Sequence, residues 1–500
     1  MELGGGSDSA AKGQGLSSSD AAAAAAAAGE DRLSALPDDV LVLILLKLTT
    51  RAAAQTRVLS HRWRLIWALL PVLSFTSPPE PHRLRDALDG HKVLLRDLLV
   101  GADGATAQSL AVWLPAAARR VSGDLTLKTY GPEEDAGEDD SGGEEEAAQR
   151  GAFEFPCFEQ ASKISFFLGF QGLAVPLTGV FARLTGLHLS RVWFHGPGEL
   201  GDAVSSPRCP CLQRLTVEDA RGLRDLAIHS ESMLWMELRD LHALSRLTVV
   251  APALEVLTVA SCFPKSPPVA NISAPLLTKL HWGNEYDPSS VHLGKMAHLQ
   301  WLRTPYYLVY GNGGFLHNQS CLSLLQRFEG IKSLCLTLAY LRGIENYDYM
   351  MEDMAVLPDI TFLRLMVMAY GHAFEASAFH VLRLCTGIRR LMLLFLSEAE
   401  TVCTSDCKCL QLIEWETEEL LLNHLEEVEI FEWRGTKHEV AFVKRLFDWG
   451  TKIKKMTVNF CPSISEVKAK ELYQIFQSFS RPGVCMKFYR FEKCSKVLCT

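Results

Sequence analysis

Apolar residues recur along most of this chain in a fixed six-residue unit: apolar, two others, apolar, one other, apolar. Copies are "LTGLHL" at Leu184, "LQRLTV" at Leu212, "LRDLAI" at Leu223, "MLWMEL" at Met233, "LSRLTV" at Leu244 and "LEVLTV" at Leu254. They continue as "LTKLHW" at Leu277, "IKSLCL" at Ile331, "ITFLRL" at Ile360, "IRRLML" at Ile388, "LEEVEI" at Leu425 and "IKKMTV" at Ile453, with a weaker copy, "LQWLRT", at Leu299. Short alternation of this kind predicts strands with one face inward. Between Leu212 and Leu254 the copies start 10 or 11 residues apart, and the next two steps are 23 and 22 residues. A unit of roughly 21–23 residues follows, which is the period of a solenoid. In that frame Leu212, Met233, Leu254, Leu277 and Leu299 share one register, and the copies between them pair with a turn on the opposite side. Later steps lengthen to 28–37 residues, which predicts helical or looped insertions on the outer face.

The pattern before these repeats is helical. "LPDDVLVLILLKL", Leu36 to Leu48, places Pro37 in a first turn, Asp38 and Asp39 where the helix dipole favours anions, and Lys47 near the other end. Its apolar residues cover nearly every face, more than one small bundle buries alone, so a partner is expected. A second helix is predicted over about Arg51–Leu59 and a third over about His61–Leu70, where Pro71 ends the run. The stretch "VLSHRWRLIW", Val58 to Trp67, leads into the third, on which Trp63 and Trp67 lie four residues apart on one side. Aromatic residues so placed serve either as core or as interface anchors. Arg62 and Arg64 read as a solvated rim.

Charge narrows the choice of partner. The formal charge is −8, but "GPEEDAGEDDSGGEEE" at 131–146 holds nine acidic residues and no basic ones. The rest of the chain is therefore nearly neutral, which gives nucleic-acid binding no support. The acidic run reads as a solvated loop, and residues 1–30, rich in Gly, Ser and Ala, as a flexible leader without secretory character. No uninterrupted apolar run reaches the length of a membrane span. Fourteen scattered cysteines without a secretory signal read as reduced thiols in the cytosol or nucleus.

These residues carry a resemblance. "LPDDVLVLILLKL" followed by "QTRVLSHRWRLIWALLPVLSF" resembles the F-box of plant F-box proteins, and the repeats resemble their irregular leucine-rich repeats. "LNHLEEVEIFEWRGTKHEVAFVKRLFDWGTKIKKMTVNF" is similar to the C-terminal module of the FBD group. The resemblance implies an α+β or α/β solenoid, in which a small three-helix F-box precedes a curved leucine-rich-repeat array. The implied division is a leader at 1–30, the F-box at 31–75 and a linker region at 76–150 containing the acidic loop. A repeat solenoid follows at 151–420, and FBD-like repeats with a cap at 421–500.

The resemblance also implies a function: a non-catalytic substrate-recognition subunit of an SCF-type cullin–RING ubiquitin ligase, with no cofactor. Its partners would be the SCF adaptor, through it the cullin and RING subunits, and a target protein; neither nucleic acid nor membrane is implied. Carried over, Leu36 and Pro37 start the adaptor face, Ile44, Leu45 and Leu48 form its aliphatic ridge, and Val58, Ser60, Trp63 and Trp67 its second half. Thr49 stands where the family often has proline, a departure that bears on adaptor affinity. On the repeats, the solvent-facing candidates for target contact are Thr216, Glu218, His229, Arg246, Thr258, His281 and Arg364. Two other classes are a receptor that senses a small ligand and a scaffold acting outside a ligase.

No phosphate loop, nucleophile elbow or zincin motif is present. Cys403, Cys407 and Cys409 in "CTSDCKC" have metal-like spacing but lack a second element, and the nearest histidine in sequence is His424. A structural zinc site needs four ligands, so these read as loop cysteines without metal.

Overall fold

The computed structural model describes residues 33, 35–77, 80–102, 104–129, 151–195, 199–312, 316–396, 403, 407–411, 420, 422–479, 481–492 and 495–499. The leader 1–30 and the acidic run 131–146 lie outside these.

Every copy of the six-residue unit opens a strand on its third residue. Strands Gly186–His195, Arg214–Arg221, Trp235–Leu241, Val256–Ala260, Lys279–Gly283 and Trp301–Arg303 pair in parallel, each with the next along the chain. The series continues through Ser333–Ala339, Phe362–Met368, Arg390–Phe395, Glu427–Trp433 and Lys455–Phe460. Cys485–Glu492 adds in parallel and Ser495–Cys499 closes the series antiparallel. These thirteen strands belong to one sheet of 19 strands among the described residues.

The copies at Leu223 and Leu244 depart from expectation. They open strands Asp225–His229 and Arg246–Val250, which join Val269–Ser273 and Val291–Leu293 in a separate four-stranded parallel sheet. Each of its first three strands buries alternate residues, such as Leu226 and Ile228, Leu247 and Val249, and Ala270 and Ile272. The half-period copies are therefore second-sheet strands and not turn partners of the first. Beyond Leu293, three of the longer steps hold an α-helix among the described residues, Leu316–Arg327, Glu375–Leu384 and Lys437–Trp449, and Glu466–Phe479 follows the last copy. Two of these helices pack by aromatic contact. The Phe379 ring lies 4.5 Å from both Phe442 and Trp449.

The stretch 76–150, expected as a linker region, is mostly structured where it is described. Helices Pro81–Asp89 and Ala107–Arg120 flank strand Leu95–Gly101, and strand Val121–Lys128 follows. Both strands join the large sheet, and Lys163–Ala174 carries the ladder on to the repeats. Leu95, Leu98 and Val100 are buried there, so the apolar positions of "LLRDLLV" serve the same core as the repeats. At the other edge, Val72–Phe75 at the end of the helical N-terminal segment pairs in parallel with Leu95–Gly101. The helical segment and the sheet share one continuous core.

Candidate functional site

The N-terminal segment contains α1 (Asp38–Leu45), α2 (Thr50–Gln55) and α3 (His61–Trp67), with a 3-10 turn at Thr56–Val58. The expected second helix is split, so four helical pieces stand where three were expected. Pro37 is the N-cap of α1, with Asp38 and Asp39 in the first turn. Thr49, in the place of the family's proline, caps α2: its hydroxyl accepts from the Ala52 N–H at 3.2 Å. Ser60 caps α3 in the same way, accepting from the Trp63 N–H at 3.4 Å. Arg62 belongs to more than a solvated rim. Its Nε and Nη2 donate to Asp38 Oδ1 at 2.9 and 2.7 Å, and Nη2 also reaches the Leu36 carbonyl.

The all-round apolar character of α1 resolves into two sides. Leu41 and Leu45, four residues apart, are buried, while Leu43, Ile44 and Leu48 are exposed. Val58 is 82% exposed and Leu59 65%. Of the residues expected on a docking face, Pro37, Ile44, Leu48, Val58 and Ser60 are exposed, and Leu36 and Trp63 are half-buried. Leu45 and Trp67 are corrected to the core at 2% and 5% exposure. Trp67 meets the His91 ring edge-on at 5.7 Å, which explains why it turns inward. Leu43 was missed because a stretch apolar on all faces carries no periodic signal for which side is buried, and Leu59, outside that stretch, ends the 3-10 turn Thr56–Val58.

On the large sheet, strand register places Thr216, Glu237, Thr258, His281, Arg303, Cys335 and Arg364 in one cross-strand row. Thr258 and His281 are each only 7% exposed and offer little surface. Burial, with Arg303 and Arg239 nearby, lowers the His281 pKa to about 3. Arg364 and Thr216 are half-buried, and Glu218, in the neighbouring row, lies 3.6 Å from His188. His229 and Arg246 are exposed but belong to the second sheet, so they cannot share a face with the others. A more exposed row lies two residues back along each strand: Arg214, Trp235, Val256, Lys279, Trp301, Ser333, Phe362 and Arg390. Arg214 stacks over Trp235 at 5.0 Å and Arg390 over Phe362 at 5.1 Å. A cleft of about 560 Å³ opens beside Lys163, Arg214, Trp235 and Glu255. This row is the third position of each six-residue unit and was present in the repeat itself.

One polar cluster lies away from both surfaces. His372, in the loop after Phe362–Met368, meets Cys407 and Cys409, with its Nδ1 3.3 and 3.6 Å from their sulfurs. Cys403 lies 3.7 Å from Cys409, and Cys407 lies 3.3 Å from Cys409. The fourth donor absent from the local sequence thus comes from a distant loop, while His424 is exposed in a turn outside the group.

Residues 33–75 match the F-box domain family. The chain therefore carries an F-box domain. Over 458 residues, 86% of this chain and 89% of the relative, it is 26% identical to the F-box/FBD/LRR-repeat protein At4g03220 of Arabidopsis thaliana. It is also 26% identical over 227 residues to the F-box/LRR-repeat protein At4g15060 of the same plant, covering 41% of this chain and 46% of that one. A shorter stretch is more similar, at 56% over 46 residues with the F-box/FBD/LRR-repeat protein At3g49480 of Arabidopsis thaliana, 9% of this chain and 10% of the relative.

Proposed function

We propose that this chain is the substrate-recognition subunit of an SCF-type cullin–RING ubiquitin ligase. The observation that carries this reading is a matched F-box whose small bundle leaves Leu43, Ile44, Leu48, Val58 and Leu59 at the surface. Isolated aliphatics such as Leu177 and Val356 are exposed elsewhere, but here five large aliphatics are exposed within a segment of 17 residues, the concentration that marks a docking surface. The remaining strands read as a curved leucine-rich-repeat solenoid, which offers a row with exposed Arg214 and Lys279 and half-buried Trp235 and Trp301 to a target protein. In this reading the chain acts by holding a target lysine near the charged ubiquitin-conjugating enzyme, a proximity effect. Action in the nucleus or cytoplasm is part of this proposal. The test is binding of the purified full chain to the SCF adaptor. A folded chain that fails to bind the adaptor sinks the reading.

A further inference from the structure

We propose that His372, Cys403, Cys407 and Cys409 form a structural zinc site that fastens the insertion before strand Glu427–Trp433 to the loop following Phe362–Met368. The four donor atoms all lie within 4.8 Å of one another, and His372, Cys407 and Cys409 are buried. A tetrahedral zinc ion, with Zn–S near 2.3 Å and Zn–N near 2.0 Å, places its sulfurs about 3.8 Å apart and its sulfur and nitrogen about 3.5 Å apart. The sulfur–sulfur separations of 3.7 and 3.3 Å and the nitrogen–sulfur separations of 3.3 and 3.6 Å match those edges to within about half an ångström.

The surroundings favour a metal over three thiols. The His372 Nε2 lies 3.3 Å from the Arg342 carbonyl, the backbone contact that fixes a ligating imidazole and turns Nδ1 toward the ion. The ring also stacks on Tyr340 at 5.9 Å, with an interplanar angle of 18°. The Ala373 N–H points at Cys409 Sγ at 3.4 Å, a donor suited to a thiolate. Three thiolates and one imidazole around Zn²⁺ leave a net charge of −1. The sulfurs are too far apart to be disulfides, whose bond is about 2.05 Å. A disulfide would also leave one thiol of the three unpaired.

Cys403 and Cys407 have C-x₃-C spacing, within the range for zinc, and the 3-10 turn Lys408–Leu410 folds Cys409 back beside Cys407. Three soft sulfurs and one imidazole in a closed shell select zinc among the available divalent ions. Lys408 Nζ also donates to the Tyr347 carbonyl at 3.1 Å, so the segment is held at a second point beside the metal.

The test uses the full chain, purified with the SCF adaptor co-expressed and without chelator. Elemental analysis should return one zinc per chain, and His372→Ala and Cys407→Ser should each lose it, whereas Cys211→Ser, at an exposed cysteine elsewhere, should retain it. Cobalt exchanged into the wild-type chain should show thiolate charge-transfer bands and the visible bands of a tetrahedral ion, a readout independent of whether the variants fold. Chelation should make Cys407 and Cys409 open to alkylation, read by mass spectrometry. Folded wild-type chain without zinc, an octahedral cobalt spectrum, or zinc retained after His372→Ala combined with Cys407→Ser overturns the proposal.

Discussion

Arg62 Nε and Nη2 both donate to the same oxygen of Asp38, at 2.9 and 2.7 Å, and so bind α3 to the start of α1. The pair is partly exposed, at 37% and 53%, so its ionic part contributes at most about 1 kcal/mol. The added bond to the Leu36 carbonyl makes the arginine more than an ion-pair member. Arg62→Ala should lower stability by about 1 kcal/mol in urea titration of the full chain, and Asp38→Asn by less. Equal losses would show that the backbone bond contributes nothing.

The exposed and buried halves of the F-box should separate in mutagenesis. Leu43→Asp and Val58→Asp should weaken adaptor binding by about 2 kcal/mol, roughly 30-fold in Kd, and leave the melting temperature close to wild type. Trp67→Ala empties a core site and should destabilise by about 3–5 kcal/mol. Calorimetry of binding and thermal melts on the same samples distinguish the two behaviours.

Thr49 tests what the missing proline means. Thr49→Ala removes the acceptor for the Ala52 N–H and should cost about 1 kcal/mol. Thr49→Pro loses the same cap, but the backbone there already has φ −60-like geometry at −63°, so reduced freedom of the unfolded chain offsets part of the loss. It should therefore be closer to neutral than the alanine variant and should leave adaptor affinity unchanged within about twofold.

His281 sets a pH response with a definite sign. Its folded pKa, about 3, lies below the ordinary value of 6.5, so the unfolded chain binds the proton more readily. Its stabilising contribution is complete above pH 6.5 and is lost as pH falls from there toward 3, at a limiting slope of about 1.4 kcal/mol per pH unit. His281→Asn should flatten the acid limb of stability against pH. An unchanged slope would place the acid response elsewhere.

On the repeat surface, Trp235→Ala with Trp301→Ala should abolish capture of target proteins in proximity labelling and leave adaptor binding intact. Thr216→Ala, at a half-buried position in the adjoining row, should change capture little by comparison.

The repeat was legible in the sequence because its apolar positions are the ones that fill the core: Leu215 and Val217, Met236 and Leu238, and Leu257 and Val259 are all fully buried. The same pattern does not say which sheet a strand joins. "LRDLAI" and "LQRLTV" satisfy one template yet pair in different sheets, because pairing depends on where the chain turns between them. The F-box helix was legible from its Pro-Asp-Asp start, but Leu43 and Leu45 look alike in a run that is apolar throughout. His372 was beyond reach for another reason. Thirty residues separate it from Cys403, and only the pairing of strands Phe362–Met368 and Arg390–Phe395 brings their loops together.

Strand Val72–Phe75 ends the F-box and begins the sheet, and the later strands of the main ladder are laid each beside its predecessor, except Ala152–Glu154 and Tyr307–Leu308, which pair with the strand that follows. Neighbour-only pairing of this kind lets a repeat be added or lost with just one new seam to form. Because the ladder starts from the F-box, each such change would shift whatever sits farther along by a set step relative to the F-box helices. The protein is built as a ruler whose graduations are its repeats, and its reach is written in their number.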